Sequence, residues 1–454
     1  IAGGEYNVAI GNGTLDALTS ADYVTAVGYQ AGSAVTTGGY NTLIGNESGD
    51  AITSGNTNTA VGHGSLGSNT VGDRNTAVGS GALGSFNPSS NTDDNNTAVG
   101  YGALNELTTG VKNIAFGGLA LGGAVTTESN NMAIGFASMT ANVAGGEYNV
   151  CVGNLTGANI TSGDNNTAVG YSSGTDLSTG ASNTFLGHAA GKLVTTGGNN
   201  VAIGADALDN ADTENHNIAI GRAALGGAIA GAENNVAIGS ESLDAVTSGD
   251  NNTAVGYGSG TGITTGQANV CVGKNAADNT TTGNYNVTIG TASQTDGTGA
   301  VHQITIGYGI GSNGDNNFTF GKAGNRVYNN FSSNASWTRS SDERKKRNIK
   351  ADNLGLDFVN ELRPVTYQWK PSNEFPQEWV EYSEENQMDT EVVMHGLIAQ
   401  EVKSALDNAG VDTFGGWEES KDGMQNISRE MFVFPLIKAV QELSATVTTL
   451  QQEI

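Results

Sequence analysis

Apolar residues in the first 310 positions never gather into long runs; they recur as short bursts framed by Asn and Gly. The burst reads N-T-A-V-G, from NVAIG at Asn7 to a degenerate QITIG at Gln303, and its terminal glycines run from Gly11, Gly28 and Gly45 to Gly307. There are 18 copies, and 13 of the 17 spacings are 17 residues, three are 18 and one is 21. The second and fourth positions, mostly Thr, Val or Ile, share one face of a strand. Ala and Gly take the other face, where only small side chains let another backbone approach. Asn opens 16 of the 18 copies, Val24 and Gln303 being the exceptions. Stacked coils would place those amides in a hydrogen-bonded ladder. Turn-like TTG at Thr36, Thr195 and Thr264, and TSG at Thr53 and Thr247, separate the bursts. About 17 residues then make two short strands and two turns. The pattern predicts a mainly β chain, with each repeat forming either one coil of a β-solenoid or one rung of an intertwined triple β-helix. At a coil spacing of about 4.8 Å the shaft would measure roughly 80 Å. The single long spacing, SFNPSSNTDDNN from Ser85 to Asn96, predicts a bulging loop.

Composition supports a shaft. The 454 residues include 67 Gly and only 5 Pro, with 14% charged and 6% aromatic. Gly without Pro, beside frequent Ala, Val and Ile, fits tight turns between many short strands. The net charge of -26 is uneven: residues 1–310 hold 23 acidic and 5 basic residues (-18), leaving 22 and 14 (-8) for the remainder. Such a surface repels phosphates and anionic membranes, so neither nucleic acid binding nor membrane insertion is expected. No apolar run approaches the roughly 18 residues of a membrane span. Ile1 in place of Met, without a leader pattern, points to a fragment or a processed chain.

Two further columns follow from the ruler. Cys151 and Cys271 occupy the Ala position of their bursts, seven repeats apart, and are expected to be buried small hydrophobes rather than a disulfide or a nucleophile. The residue after each burst glycine varies freely and includes Tyr29, Tyr101, Tyr171 and Tyr257. This reads first as a solvated column; its tyrosines are the candidate receptor-facing residues, able to stack on sugars.

Beyond Gly311 the ruler is lost. Residues 311–340, including FTFGKAGNRVYNN, read as a transition segment, and 341–454 read as an ordinary small α+β domain. Ile349, Leu354, Leu356, Phe358, Val359 and Leu362 predict an apolar cluster, PVTYQWK a strand, and HGLIAQEVKSALDNAG a strand passing into an amphipathic helix ended by Gly410. Leu436, Val440, Leu443, Val447, Leu450 and Ile454 are spaced 4, 3, 4, 3, 4, a heptad seam starting close behind Pro435. The run is too short to fix the number of strands in the coiled coil.

The pieces SSDERKKRNI, LRPVTYQW, HGLIAQEV and PLIKAVQEL, spread over residues 340–454, closely resemble the C-terminal intramolecular chaperone domain of phage endosialidases, tail spikes and tail fibres. The repeats separately resemble the β-roll heads of trimeric autotransporter adhesins and many phage fibre shafts. The first resemblance implies a homotrimer assembled by the chaperone and then cut free of it. It also implies that Ser341 pairs with Lys346, that the Ser341–Asp342 bond is the site of cleavage, and that Asp342 and Arg344 shape the turn. A Ser hydroxyl needs a base, and a Lys desolvated among other cations can supply one. Lys345 departs from the family, which usually has Leu there; the extra cation could aid deprotonation of Lys346 or spoil the packing that holds it.

The expected protein is therefore a viral tail fibre of the virion, assembled in the host cytoplasm, contacting other tail proteins and a cell-surface receptor that could be a glycan. Any enzyme activity would be a single-turnover Ser–Lys peptidase. No cofactor or metal is expected, since five scattered His and two buried Cys form no ligand cluster. Glycan hydrolysis would need paired carboxylates in a cleft, and phosphate-loop readings fail because no Gly-Lys-Ser or Gly-Lys-Thr follows the glycines. The alternatives are a bacterial surface adhesin, which needs a downstream anchor that the heptad ending argues against, and an ice-binding solenoid, which needs regular Thr pairs where the TTG pieces are intermittent.

Overall fold

A computed structural model describes every residue except 1, 2, 91, 92, 124–126, 142–144, 333–337, 340, 378, 380, 381, 387, 389, 421, 422 and 454. The chain divides into two units, Ile1–Ser340 and Ser341–Ile454.

Each of the 18 bursts is a strand in one parallel sheet, from Val8–Ile10 to Ile304–Tyr308. Each pairs with its neighbours in the same chain and in full register, as Thr167 with Thr184, Ala168 with Phe185 and Val169 with Leu186. The repeat is therefore one coil of a β-solenoid, and a chain intertwined with others is not needed to complete a rung. One expectation is corrected: among the described residues each coil holds one three-residue strand, not two. The opposite wall is built of turns that bring Leu66, Leu83 and Leu104 inward in the left-handed conformation, at φ of 54, 51 and 50°. That backbone costs about 1–2 kcal/mol per residue, which burial of a leucine side chain offsets.

The faces sort as the alternation predicts, with the inward alanines packed among core side chains and the burst glycines against the backbone of the next coil. The central residue of nearly every strand, usually Ala, is fully buried, while the flanking Thr, Val and Ile look outward and stay partly exposed. A 17-residue coil leaves room for Ala opposite Leu and little more. Where the central residue is large, a neighbouring turn glycine makes space: a Cβ on Gly49 would lie 2.7 Å from Leu43, and one on Gly191 would lie 2.6 Å from Phe185. The burst glycines answer a different demand. Gly170 has φ +134°, and a Cβ there would sit 2.3 Å from the Gly187 carbonyl oxygen of the next coil, a separation that real side chains do not tolerate.

The amide ladder forms as expected. Asn166 donates to Asn149 Oδ1 (3.1 Å) and to the Gly180 carbonyl (2.9 Å), and its own Oδ1 accepts the Asn183 backbone N–H at 2.9 Å. The same links recur along the stack, and these asparagines are buried. At the TTG corners a second file of bonds runs from Thr36 Oγ1 to the Thr53 carbonyl and from Thr53 to Thr70. Both cysteines are free and buried in the core column, where burial pushes each thiol up to about 12. The 21-residue spacing leaves the sheet register undisturbed, since Thr76 still pairs with Thr97. Residues 91 and 92 of that expected bulge lie outside the described residues.

The parallel stack runs one rung past the end of the 17-residue ruler. Asn317–Lys322 adds one more parallel rung on Ile304–Tyr308, and the chain then reverses at Gly324 into the antiparallel strand Asn325–Asn330. That hairpin covers the last parallel edge, a device that guards against unwanted strand addition.

In the second unit, helices α1 (Leu356–Glu361), α2 (Ala399–Asn408) and α3 (Val433–Glu453) accompany two small two-stranded antiparallel sheets. Leu354, Phe358, Val402, Ala405 and Leu406 form the core, and α2 ends before Gly410 at φ +67°. Ile349, expected in this cluster, is instead 63% exposed. Helix α3 begins two residues before Pro435, which fits in the first turn because its missing N–H has no intrahelical partner there. Ile454 of the expected heptad lies outside the described residues. The Glu442 carboxylate of α3 accepts the Leu356 N–H at the start of α1 (2.7 Å), which holds its pKa below the usual range.

Replacing Asn166 with Ala removes two donors and an acceptor from a dry position and should lower unfolding stability by at least about 2 kcal/mol. Tyr171→Ala, on the exposed column of the same coil, should stay within about 0.5 kcal/mol. Thermal or chemical denaturation of the two variants side by side checks both.

Candidate functional site

The charged stretch that opens the second unit folds into a tight turn. Asp342 caps the single 3-10 turn Glu343–Lys345: its Oδ1 accepts the Arg344 N–H at 2.8 Å and Arg344 Nε at 3.0 Å, and its Oδ2 accepts Nη2 at 2.6 Å. The same carboxylate thus holds both the backbone and the guanidinium of Arg344, and this lowers the Asp342 pKa and raises that of Arg344. The Lys346 N–H closes the turn on the Glu343 carbonyl at 2.9 Å. As a result the Lys346 side chain folds back toward the start of the turn, and its Nζ donates to Ser341 Oγ at 2.7 Å.

The two groups singled out from the sequence therefore meet, and Asp342 and Arg344 form the brace between them. A hydroxyl with an amine at hydrogen-bond distance is the basic arrangement of a nucleophile and its base. Ser341 through Lys350 are all exposed, Lys345 included. One chain supplies the pairing but not the burial that would favour a neutral amine. Ser340, the first residue of the matching motif, lies outside the described residues.

On the shaft, Tyr29, Tyr101, Tyr171 and Tyr257 are all exposed, Tyr101 most at 69%. They do not form one platform. Tyr171 stacks on His188 with ring centroids 5.7 Å apart, Lys274 Nζ lies 5.8 Å from the Tyr257 ring, and a hydrogen bond to Glu241 raises the Tyr257 phenol above its usual range. Tyr101 and His63 flank a groove of about 410 Å³ floored by Gly64, Gly81 and Gly102. A second aromatic column escaped the sequence reading. The residue before the burst Asn is left-handed in every coil and carries Tyr6, Tyr23 and Tyr40, stacked with centroids 4.9 and 5.0 Å apart, as well as the stacked pair Tyr285 and His302. Its signal was present in EYN, DYV, GYN and NYN. Among the described residues no cluster of His, Cys, Asp or Glu could hold a metal, and no helix is long and apolar enough to cross a membrane.

Residues 341–411 match the family described as chaperone of endosialidase. No curated protein matches the chain, and no solved structure does. The second unit thus carries an endosialidase-type intramolecular chaperone domain behind a β-solenoid of 17-residue coils, a combination that fits a tail-fibre-like protein and implies a homotrimer.

The braced turn has a pH signature. The Asp342 carboxyl titrates below its ordinary 3.8 because Arg344 favours the ionised form. The cap is therefore fully present above 3.8 and is lost as pH falls through the lowered value. A carboxyl-carbon NMR titration should place the Asp342 midpoint below 3.8; a midpoint at or above that value contradicts the geometry.

Proposed function

We propose that the chain is a host-attachment fibre of a phage tail, carried on the virion, in which the C-terminal unit assembles three copies, fixes their register and is then cut away beside Ser341. The observation that carries this reading is the chaperone match over 341–411 directly behind a solenoid of near-interchangeable rungs. Such rungs specify register weakly, because a slip by one whole coil replaces each contact with a similar one. A folded clamp at one end removes that ambiguity.

Each unit keeps an apolar surface that suits neighbouring copies. On the shaft the outward strand residues Ile10, Phe116, Leu186 and Ile238 are 38 to 59% exposed. On α3, Leu436, Val440, Leu443, Val447 and Leu450 are 45 to 58% exposed along the heptad seam. Stripes of this extent mark association surfaces. Self-cleavage of the Ser341–Asp342 bond uses Ser341 as nucleophile and Lys346 as base: the amine takes the hydroxyl proton as the oxygen attacks the Ser341 carbonyl of a neighbouring copy, the proton passes to the leaving Asp342 nitrogen as that bond breaks, and water hydrolyses the resulting ester to free the serine. Assembly supplies the desolvation the single chain lacks, so cutting follows trimer formation. The receptor-facing surface is the shaft, with Tyr29, Tyr101, Tyr171 and Tyr257 as contacts for a host-surface glycan. Other tail proteins complete the particle.

Ser341→Ala and Lys346→Met should leave assembled trimers but abolish the shortened chain on a denaturing gel; cleavage at wild-type extent in either variant rules out the dyad. Leu443→Asp places a charge in the seam and should prevent both assembly and cutting, read by sedimentation and by the same gel. Removing 342–454 before synthesis should give aggregated or misregistered shafts, and soluble thermostable trimers from that chain would refute the clamp.

A further inference from the structure

The interior of the solenoid changes character toward its C-terminal end. From Leu15 to Ala277 one continuous apolar cluster fills the coils. Past that point the central strand column, Ala254 and Cys271 in preceding coils, becomes Thr288, Thr305 and Thr319, stacked in register and no more than 1% exposed. Thr280, Ser293, Thr295 and Ser312 are buried around them, whereas Ala300 and Ile310 are the buried apolar residues that remain in the described coils beyond Ala277.

The polar atoms of this end are not all satisfied. In the shaft unit six buried side-chain atoms lack a protein partner among the described residues, and they belong to Asn275, Thr288, Thr305, Asn317, Thr319 and Asn329. Among the described residues before Asn275 there is no such atom: buried Ser48 donates to the Ala60 carbonyl (2.9 Å), and Ser259 donates to the Cys271 carbonyl (2.7 Å). The last parallel step is also short, since Ile304 pairs with Phe318 after 14 residues instead of 17. Less apolar burial and orphaned hydroxyls both lower local stability, although the ladder of strand pairing continues unbroken.

We propose that residues 275–330 form a weak collar of the solenoid, which opens and recloses locally while the coils before Asn275 stay shut, and which serves as a reversible register gate. These rungs adjoin the chaperone in sequence, so they are the first that three clamped chains can bring together. Pairing errors made in weak rungs are undone before the apolar coils lock them in. Contacts that open readily are drawn from the least stable part of a fold; here the sequence puts that part where alignment is decided.

Hydrogen exchange followed by mass spectrometry on the full chain tests the collar. Amides of Val287–Ile289, Ile304–Tyr308 and Asn317–Lys322 should exchange at least tenfold faster than those of Val201–Ile203 and Thr253–Val255. The triple variant Thr288→Val, Thr305→Val, Thr319→Val keeps side-chain shape and should slow collar exchange at least tenfold without changing the distant coils. It should also refold to correct trimers in lower yield, because early errors no longer reverse. Uniform exchange along the wild-type shaft overturns the proposal, as does a valine variant with unchanged collar exchange or unchanged refolding yield. If the triple variant does not assemble, Thr305→Val alone gives the same readout with a smaller shift.

Discussion

Everything in the shaft depends on strand and ladder groups being satisfied by the next coil, with short turn bonds inside each coil closing its corners. A 17-residue coil is too small to hold a core of its own, and its Asn, its burst glycine and its inward alanine each have a partner one coil away. Stability therefore accumulates by repetition, as in other solenoids. The same economy makes each coil nearly equivalent to the next. A structure so easily extended marks only weakly where two copies should align, and on the proposed function the chaperone unit at its end makes good that weakness.

The dyad and the clamp fit one sequence of events. Asp342 and Arg344 hold a turn that brings Lys346 to Ser341 in a single chain, yet that turn lies in water. In the single chain the pairing is present and the burial is not. On the proposed function, separating the two conditions would keep an unassembled chain from losing its chaperone.

Much of this was legible in the sequence, for a plain reason. Strand positions, the amide ladder, the buried cysteines and the Ser341–Lys346 pair all rest on local spacing or on short motifs, and spacing survives folding. The misses share a different origin. Ile349 reads as core by composition but faces solvent, because nothing local says which apolar residues a small domain can cover. The second strand expected in each coil is a turn, which in several coils holds a left-handed leucine such as Leu66, Leu83 or Leu104, a conformation that no leucine advertises. Thr288, Thr305 and Thr319 look like ordinary strand formers, and only their inward register turns them into a polar column. The Tyr6, Tyr23 and Tyr40 stack sits one residue before the motif, at a left-handed position whose occupant varies from coil to coil, so that only the folded register shows the three rings to be neighbours.

Native mass spectrometry of the intact chain, measured before any cleavage, tests the central claim most directly. The account predicts a particle of three copies, each carrying its C-terminal unit. A stable single-chain species at micromolar concentration, with helix α3 free of other copies, would contradict it.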